Sequence, residues 1–249
     1  MRDGNRTREL LEKAEFYCSS PRNFDDPHDN QLGAFATGDN YCIDDWLLHD
    51  MAGVPYLMQK YNLSSLTEIS EQTVTDPEDR KIITAAALRR RRRHTRVLCL
   101  AGTWHIDLMW SFYADEHRGI CLVFDANHDF FKAARPVLYT HSPVDVQHFS
   151  DSGEEGDRLA FCKPLAWQFQ KEWRIVWPGD KPSEVSFPRE SLKAVILGYR
   201  FLEPLFKDLE RTLVNGGYNV DIHRVKRLPN SYDLALVPGG HIGPKETAP

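Results

Sequence analysis

The stretch from Leu108 to Phe124 reads Leu-Met-Trp-Ser-Phe-Tyr-Ala-Asp-Glu-His-Arg-Gly-Ile-Cys-Leu-Val-Phe. Its first half carries apolar residues at helical spacing, and its second half, from Ile120, is a short apolar run of the kind that forms a strand. Gly119 stands between the two halves and is typical of a helix end. A helix that leads directly into a strand predicts a mixed α+β protein.

Three other short apolar runs contain β-branched or aromatic residues and have helix or strand breakers on both sides, which is typical of strands. They are residues 97–100, 175–177 and 194–197. We expect these runs and 120–124 to share one sheet. A short β-stretch is also predicted at 16–18, and closing strands at 219–224 and 234–237.

Helices are predicted where apolar residues recur at helical spacing, at 6–14, 106–114, 157–170 and 204–215. Residues 43–60 also have a helical pattern, which Gly53 and Pro55 interrupt. Another helix begins at Asp76 and Pro77, since Asp caps helices and Pro suits the first helical position, and it extends to Arg93. The expected fold class is α+β, with a mixed or split β-sheet flanked by helices.

The length and composition favour one domain. A chain of 249 residues with 41% hydrophobic and 11% aromatic content can bury a sizeable core. We expect a single domain over residues 1–238 and a disordered tail over 239–249, where Gly and Pro accumulate. The net charge of -5 gives no global attraction to nucleic acid or to anionic lipid.

The sequence also predicts where the protein resides. It contains no run of the roughly 18 apolar residues that a membrane span needs, and its first residues are too charged for a signal peptide. The five cysteines are widely spaced and form no Cys-x-x-Cys pair. We therefore expect a cytoplasmic protein with reduced thiols, no membrane partner and no metal requirement for folding.

Glu172, Trp173 and Arg174 form the sharpest chemical feature of the sequence. Alternation along a strand places Glu172 and Arg174 on one face and Trp173 on the other. A carboxylate beside an arginine stays ionised, so it could hold a ribose hydroxyl or stabilise an oxocarbenium-like transition state. The alternative is an ion pair that ties the sheet together.

Two sets of residues at helical spacing could form a ligand pocket beside that pair. Trp110, Tyr113 and His117 have i, i+3, i+7 spacing and share one stripe if the helix persists to His117. They could stack on a nucleobase or nicotinamide, or they could be core residues, with His117 capping the helix. Lys163 and Trp167 lie four residues apart on a predicted helix, where Lys163 could reach a phosphate or remain solvated.

Two further clusters of charge have alternative interpretations. The loop from Phe24 to Asp29 contains three carboxylates and an imidazole, which could ligate a metal but also suit Asx turns around Pro27. The run Arg89 to Arg93, with Arg96 beyond it, could be a solvated helix face or could contact a phosphate or an acidic partner.

Four stretches of the chain, in order, are similar to the bacterial family catalogued as domain of unknown function 2971. They are Phe16 to Asp29, with a strand and an Asn-Asp-Pro-Phe-Asp type of loop; Leu108 to Phe124, with a Met-Trp-x-x-Tyr-x-x-x-His-x-Gly signature; Lys163, Trp167 and Glu172 to Val176; and Val195 to Gly198 with the helix after it. Several residues at fixed spacing are more specific than one short motif. The resemblance covers nearly the whole chain.

The family name implies no activity, but its layout of helix, loop, split sheet and a late strand headed by glutamate resembles the ADP-ribosyltransferase superfamily, including its DNA-modifying toxins. Two features depart from the pattern. Ala101 stands where the family tends to carry a serine, and members usually begin with a short strand before the helix with which this chain starts. Because a transferase pocket borrows residues from both elements, the departures favour a non-catalytic protein. Three polar and aromatic motifs on separate elements are more than a sheet needs for stability, however, and they favour the enzyme.

Three hypotheses follow. The first is an NAD-dependent ADP-ribosyltransferase-like enzyme, a bacterial toxin or phage-defence effector that modifies nucleic acid or protein. Its catalytic residues would be Glu172 and Arg174, and its cofactor pocket would contain Trp110, Tyr113, His117, Lys163 and Trp167. The second is a non-catalytic binding or regulatory module of the same family, and the third is a nuclease with a metal in the acidic loop. The target and the oligomeric state stay open.

Overall fold

The structure is a computed structural model that describes residues 4–24, 26, 29, 54–64, 73–79, 82–83, 93–142, 160–177 and 182–244. Helices and several small mixed sheets alternate along these residues. The α+β fold class is therefore confirmed. None of the described helices is long and apolar enough to cross a membrane.

The first described helix packs on the core through a single apolar face. Helix α1 runs from Gly4 to Lys13 and buries Leu11 completely, while ion pairs one turn apart lie on its exposed side. Ala14 ends the helix in a left-handed conformation with φ of 55°. Strand β1, Glu15–Tyr17, follows at once, as the sequence predicts.

A four-stranded sheet forms the larger half of the core, in the order β11-β10-β9-β3. Its strands are β3 (Ile120–Phe124), β9 (Leu192–Leu197), β10 (Val220–Arg227) and β11 (Leu234–Ile242). Only β9 and β10 are parallel within this sheet, and a helix at Glu203–Asn215 connects them, because parallel neighbours need a crossover connection. Strand β9 has neighbours on both sides and accordingly is almost continuously apolar.

A separate three-stranded sheet carries the Glu172 motif. It has the order β2-β7-β4, with β2 at Arg96–Ala101, β7 at Glu172–Trp177 and β4 at Arg135–Pro136, all antiparallel. The prediction that the four apolar runs share one sheet is therefore wrong. Apolar runs identify strands, but long-range packing decides which strands pair.

Two smaller pairs complete the described sheets. Strand β8 (Glu184–Ser186) pairs antiparallel with β1, and β5 (Leu138–Thr140) pairs parallel with β6 (Cys162–Pro164).

The prediction of an α-helix at 157–170 is wrong for residues 162–170, because 162–164 are extended and 165–170 form a 3-10 helix. Pro164 explains the difference, since it disfavours the helical conformation at the preceding Lys163.

Helix α2 at Val54–Lys60 matches the end of the interrupted helix predicted at 43–60, whose earlier residues lie outside the described ones. Asp76 caps the next predicted helix by accepting hydrogen bonds from the backbone N–H groups of Glu78 and Asp79, at 2.9 and 3.1 Å. Residues 77–79 and 82–83 are helical there.

Helix α3 runs from Asp107 to Tyr113 and ends before the predicted stripe reaches His117. Asp115, Glu116 and His117 have φ values of 48°, 50° and 69°, which is a run of left-handed residues without glycine. Such residues persist only where neighbouring structure fixes them. Trp110, Tyr113 and His117 therefore do not share a helical stripe, and that expectation is wrong.

The last strand extends further than the sequence predicts. Strand β11 continues past Val237 to Ile242, which is buried, so residues 239–242 are not part of a disordered tail. Gly239 and Gly240 lie opposite a register shift between Ile222 and His223. A glycine pair occurs in β-bulges as well as in turns. The prediction took it for a turn and therefore ended the strand too early, at Val237.

The helix predicted at 204–215 is confirmed, and we label it α4. It contacts α1, and the two helices cover one side of the four-stranded sheet, where Leu213 and Val195 are buried. Phenylalanine rings fill the space between this sheet and β1, with Phe16 and Phe187 centroids 4.5 Å apart. Tyr218 closes the core by donating a hydrogen bond of 2.7 Å to the Leu11 carbonyl oxygen.

Gly198, directly after β9, lies against the left-handed turn at His117. A Cβ there would overlap the carbonyl oxygen of His117 and lie 2.7 Å from its carbonyl carbon. We predict that Gly198→Ala lowers the free energy of unfolding by about 3 kcal/mol, because backbone cannot yield as a flexible side chain does. Urea unfolding checks this.

The matched control is Gly217→Ala, where no atom lies within 4 Å of the added Cβ. Only the left-handed backbone conformation, with φ of +67°, disfavours alanine there. Its expected cost is about 1 kcal/mol. Equal losses in the two variants would contradict the close packing of Gly198 on His117.

Candidate functional site

Strand β7 places Glu172 and Arg174 on the same buried face, whereas Trp173 between them is 41% exposed. Arg174 Nε donates to Glu172 Oε1 at 2.7 Å, and Nη2 donates to Oε2 at 3.1 Å. The strand alternation predicted from the sequence thus brings the two charges together. They meet in the interior and not at the surface.

Arg174 also connects the sheet to the loop after β1. Its Nη1 and Nη2 atoms donate to the two carboxylate oxygens of Asp29 at 2.8 and 2.6 Å, and Nη1 donates to the Ala160 carbonyl oxygen at 2.8 Å. A guanidinium has five N–H donors, and these contacts with the two to Glu172 use every one. Arg174 is 0% exposed, so its charge is compensated entirely by protein groups.

Lys163 brings a second cation into the same space from β6. Its Nζ atom lies 3.0 Å from Glu172 Oε2, 3.1 Å from Asp29 Oδ2 and 2.7 Å from Gln170 Oε1. The ammonium also lies 5.2 Å from the centre of the Trp167 ring. Lys163 therefore reaches both carboxylates, although it stands on a strand and not on the predicted helix.

Gln170 extends the cluster to helix α3. Its Nε2 atom donates to the Tyr113 hydroxyl oxygen at 2.6 Å, while its Oε1 atom accepts from Lys163. On the other side, the Tyr139 hydroxyl accepts from the Glu172 backbone N–H at 2.9 Å. We call Asp29, Lys163, Gln170, Glu172 and Arg174 the buried charge cluster.

The cluster carries two positive and two negative charges, and each buried charge touches a charge of opposite sign. Burial alone would raise the pKa of Glu172, but the hydrogen bonds and charge of Arg174, with the charge of Lys163, hold that pKa below its ordinary value. Burial alone would lower the pKa of Lys163, but Glu172 and Asp29 outweigh burial and raise it. Glu172, Lys163 and Arg174 therefore stay ionised near neutral pH.

Five of the seven predicted site residues meet at this cluster, namely Tyr113, Lys163, Trp167, Glu172 and Arg174. Trp110 and His117 lie elsewhere. Trp110 is buried against Ala114, Ile196 and Val225, and its Nε1 atom donates to the Trp104 carbonyl oxygen at 2.6 Å. Trp110 is a core residue on the face of α3 that packs on the four-stranded sheet, which is the second of the two interpretations left open by the sequence.

His117 lines a separate cleft with a volume of about 500 Å³, which we call the His117 cleft. The centroid of its ring lies 6.3 Å from that of Trp110 and 4.6 Å from that of Tyr199. His117 Nε2 is 3.2 Å from Ser111 Oγ and 3.5 Å from Asp107 Oδ1. His117 Nδ1 is buried and has no hydrogen-bond partner among the described residues.

Two arginines line the same cleft and influence the imidazole. Burial lowers the pKa of His117, and the nearby Arg200 and Arg227 lower it further, while Asp107 opposes them. The ring is therefore neutral at pH 7. A neutral imidazole has one donor and one acceptor nitrogen, so the ring adds no charge of its own to the cleft that Arg200 and Arg227 line.

The acidic loop is described only at Phe24, Asp26 and Asp29. Both carboxylate oxygens of Asp29 face the cations of the charge cluster, so this residue serves an ion pair and is not aimed at a metal. Within the described ranges, no group of three or more His, Cys, Asp or Glu side chains is placed to hold a metal ion. Asp25 and His28 lie outside those ranges.

Two residues of the site carried no signal in the sequence. Gln170 stood at the end of a helix that does not form, and Tyr139 belonged to no predicted element. Their hydrogen bonds depend on the pairing of β5 with β6 and on the 3-10 helix at 165–170. The pairing of distant strands, and not the local sequence, brings this glutamine and this tyrosine into the site.

Comparison of the chain with protein-family models, with curated proteins and with solved structures finds no significant match. The resemblance to the family of unknown function and the analogy with ADP-ribosyltransferases therefore stay predictions.

The pKa of Glu172 makes the cluster sensitive to acid. Because folding lowers this pKa below its ordinary value of 4.5, the stabilisation is complete above that pH and is lost as the pH falls through the folded-state pKa. We predict that the free energy of unfolding falls less steeply below about pH 4.5 in Glu172→Gln than in the unmodified protein.

Urea unfolding between about pH 7 and about pH 3 measures the two slopes. Glu9→Gln is the control, since Glu9 forms an exposed ion pair with Lys13 on α1. Lys13 lowers the pKa of Glu9 as well, but solvent screens this exposed pair, so the curve of the control should stay close to that of the unmodified protein. Parallel curves for the unmodified protein and Glu172→Gln would show that Glu172 has no depressed pKa.

Proposed function

We propose that this protein is a non-catalytic ligand-binding module in which the buried charge cluster holds the scaffold and the His117 cleft receives the ligand. One observation carries the proposal. Both oxygens of Glu172 accept hydrogen bonds from Arg174 or Lys163, and the residue is only 7% exposed. The carboxylate is thus engaged by cations inside the protein and offers little surface to a substrate.

The energetics of the cluster support a structural role. Removing one member of a buried ion pair costs about 3 to 5 kcal/mol, because the remaining charge is left without compensation. Glu172 could stabilise a positive transition state only if Arg174 and Lys163 moved away from it. The other carboxylate of the cluster is that of Asp29, and both cations already contact it. Neither cation could therefore replace Glu172 with a new partner inside the cluster.

The His117 cleft has the properties of a ligand site. Its volume of about 500 Å³ lies within the usual range for small-molecule sites. The aromatic rings of Tyr199 and Tyr232 and the cations of Arg200 and Arg227 could together bind a planar ligand with polar groups. NAD and nicotinamide are the first ligands to test.

The second candidate is an NAD-dependent ADP-ribosyltransferase, and one observation favours it. Tyr113, Lys163, Trp167, Glu172 and Arg174 come from four separate elements and still converge, which is more than a sheet needs for stability. In this reaction the bond between nicotinamide and ribose breaks, and a nucleophile of the target attacks the ribose and loses its proton. Glu172 would stabilise the positive charge that develops on the sugar.

We predict that Glu172→Gln separates the two candidates. If Glu172 is structural, the change lowers the free energy of unfolding by about 3 to 5 kcal/mol and leaves ligand binding to the folded protein unchanged. If Glu172 is catalytic, stability holds while NAD turnover falls by about 10² to 10³. Thermal unfolding and an NAD-consumption assay measure both quantities, with Glu9→Gln as the control.

The cleft is tested separately by Arg227→Gln together with Tyr199→Leu. These changes should abolish the thermal shift that NAD or nicotinamide produces, while the protein remains folded. NAD turnover by the unmodified protein that is lost in a stable Glu172→Gln variant would overturn the binding-module proposal. So would retention of the full thermal shift in the cleft variant.

A further inference from the structure

A second pocket lies where the turn after β1 meets the beginning of β2. Ser19 and Val97 exchange two backbone hydrogen bonds there, at 3.2 and 2.9 Å, and this bridge holds the turn against the strand. The pocket beside it has a volume of about 340 Å³. Among its lining residues are Tyr17, Ser20, Arg22, Asn23, Arg93 and Arg96. We call it the arginine pocket.

The arginine pocket concentrates positive charge. Arg22, Arg93 and Arg96 line it, and no described carboxylate does so. Nor does any of the three form an ion pair with a carboxylate in the described part of the chain, unlike Arg118, Arg174 and Arg224. Three guanidinium groups around one small space repel each other unless an anion lies between them.

Backbone carbonyl groups hold Arg96 in place beside the pocket. Its Nη1 atom donates to the carbonyl oxygens of Arg93 and Thr95, at 2.8 and 3.1 Å, which fixes the guanidinium plane. Its Nε atom is buried and has no partner among the described residues. Arg96 lines the pocket, and a guanidinium can bind two oxygens of a phosphate side by side.

Neutral donors surround the three cations. Tyr17, Ser20 and Asn23, which all have polar side chains, belong to the same lining. Ser20 Oγ also caps the 3-10 turn at 21–23 by accepting from the Arg22 backbone N–H at 3.4 Å. Phosphate has four oxygens and up to two negative charges, so it can use several cations and hydroxyl donors at once. A carboxylate has only two oxygens and one charge.

We propose that the arginine pocket binds the phosphate group of a small phosphorylated ligand. The site is separate from the charge cluster: Arg96 pairs with Trp177 at one end of β2, whereas Ala101 pairs with Glu172 at the other, about 17 Å along the strand. It also gives Arg93, the last residue of the arginine run, a role that the sequence left open. The ligand is either free phosphate or a nucleotide whose base stacks on the exposed Tyr17 ring.

Isothermal titration calorimetry at constant ionic strength tests the proposal with inorganic phosphate, AMP, adenosine and chloride as probes. Phosphate and AMP should bind, while adenosine and chloride should not. Equal affinities for phosphate and AMP identify free phosphate as the source, and tighter binding of AMP identifies a nucleotide. The double variant Arg22→Gln with Arg96→Gln should weaken phosphate and AMP binding by more than about tenfold.

Two variants keep the test interpretable. Arg96→Lys retains the charge but loses the planar guanidinium that can bind two oxygens at once. It should therefore bind phosphate more weakly than the unmodified protein even when its melting temperature is unchanged. Arg211→Gln, an exposed arginine on α4, should bind phosphate normally. Absence of phosphate and AMP binding, or unchanged affinity in the double variant, overturns the proposal. Because Arg227→Gln leaves this pocket intact, failure here is independent of the His117 cleft.

Discussion

The guanidinium of Arg174 is the interaction on which the described structure depends. It is fully buried and donates five hydrogen bonds, which connect Glu172 on its own strand, Asp29 in the loop after β1 and the backbone before β6. Transfer of one unpaired charge into a protein interior costs several kcal/mol, so this residue is tolerated only if all of its partners are in place. The correct geometry of one element therefore depends on that of the others.

This dependence explains how separate sheets form one scaffold. The three-stranded sheet contributes Glu172 and Arg174, the β5–β6 pair contributes Lys163, and Tyr113 on α3 reaches the cluster through Gln170. Apolar packing is non-directional and would tolerate small shifts between these elements. Charged hydrogen bonds are directional, and so the cluster specifies their relative positions.

The sequence predicted the local elements better than their assembly. The pairing of Glu172 with Arg174 follows from alternation along one strand, and the helix at 204–215 follows from its periodicity and its proline at the start. Contacts set by distant residues could not be predicted, such as the link from Asp29 to Arg174, which spans 145 positions. Pro164 is a local signal against the predicted helix at 157–170, because it disfavours the helical conformation at the residue before it. The helical spacing of the apolar residues outweighed that signal in the prediction.

A double-mutant cycle between Asp29 and Arg174 tests the central role of the cluster most directly. Urea unfolding of Asp29→Asn, Arg174→Met and the double variant gives the coupling free energy of the two side chains. If the cluster joins the loop to the sheet, the coupling is at least about 2 kcal/mol, since the second change removes a charge that the first has already left unpaired. Losses that add to within about 0.5 kcal/mol would contradict this account.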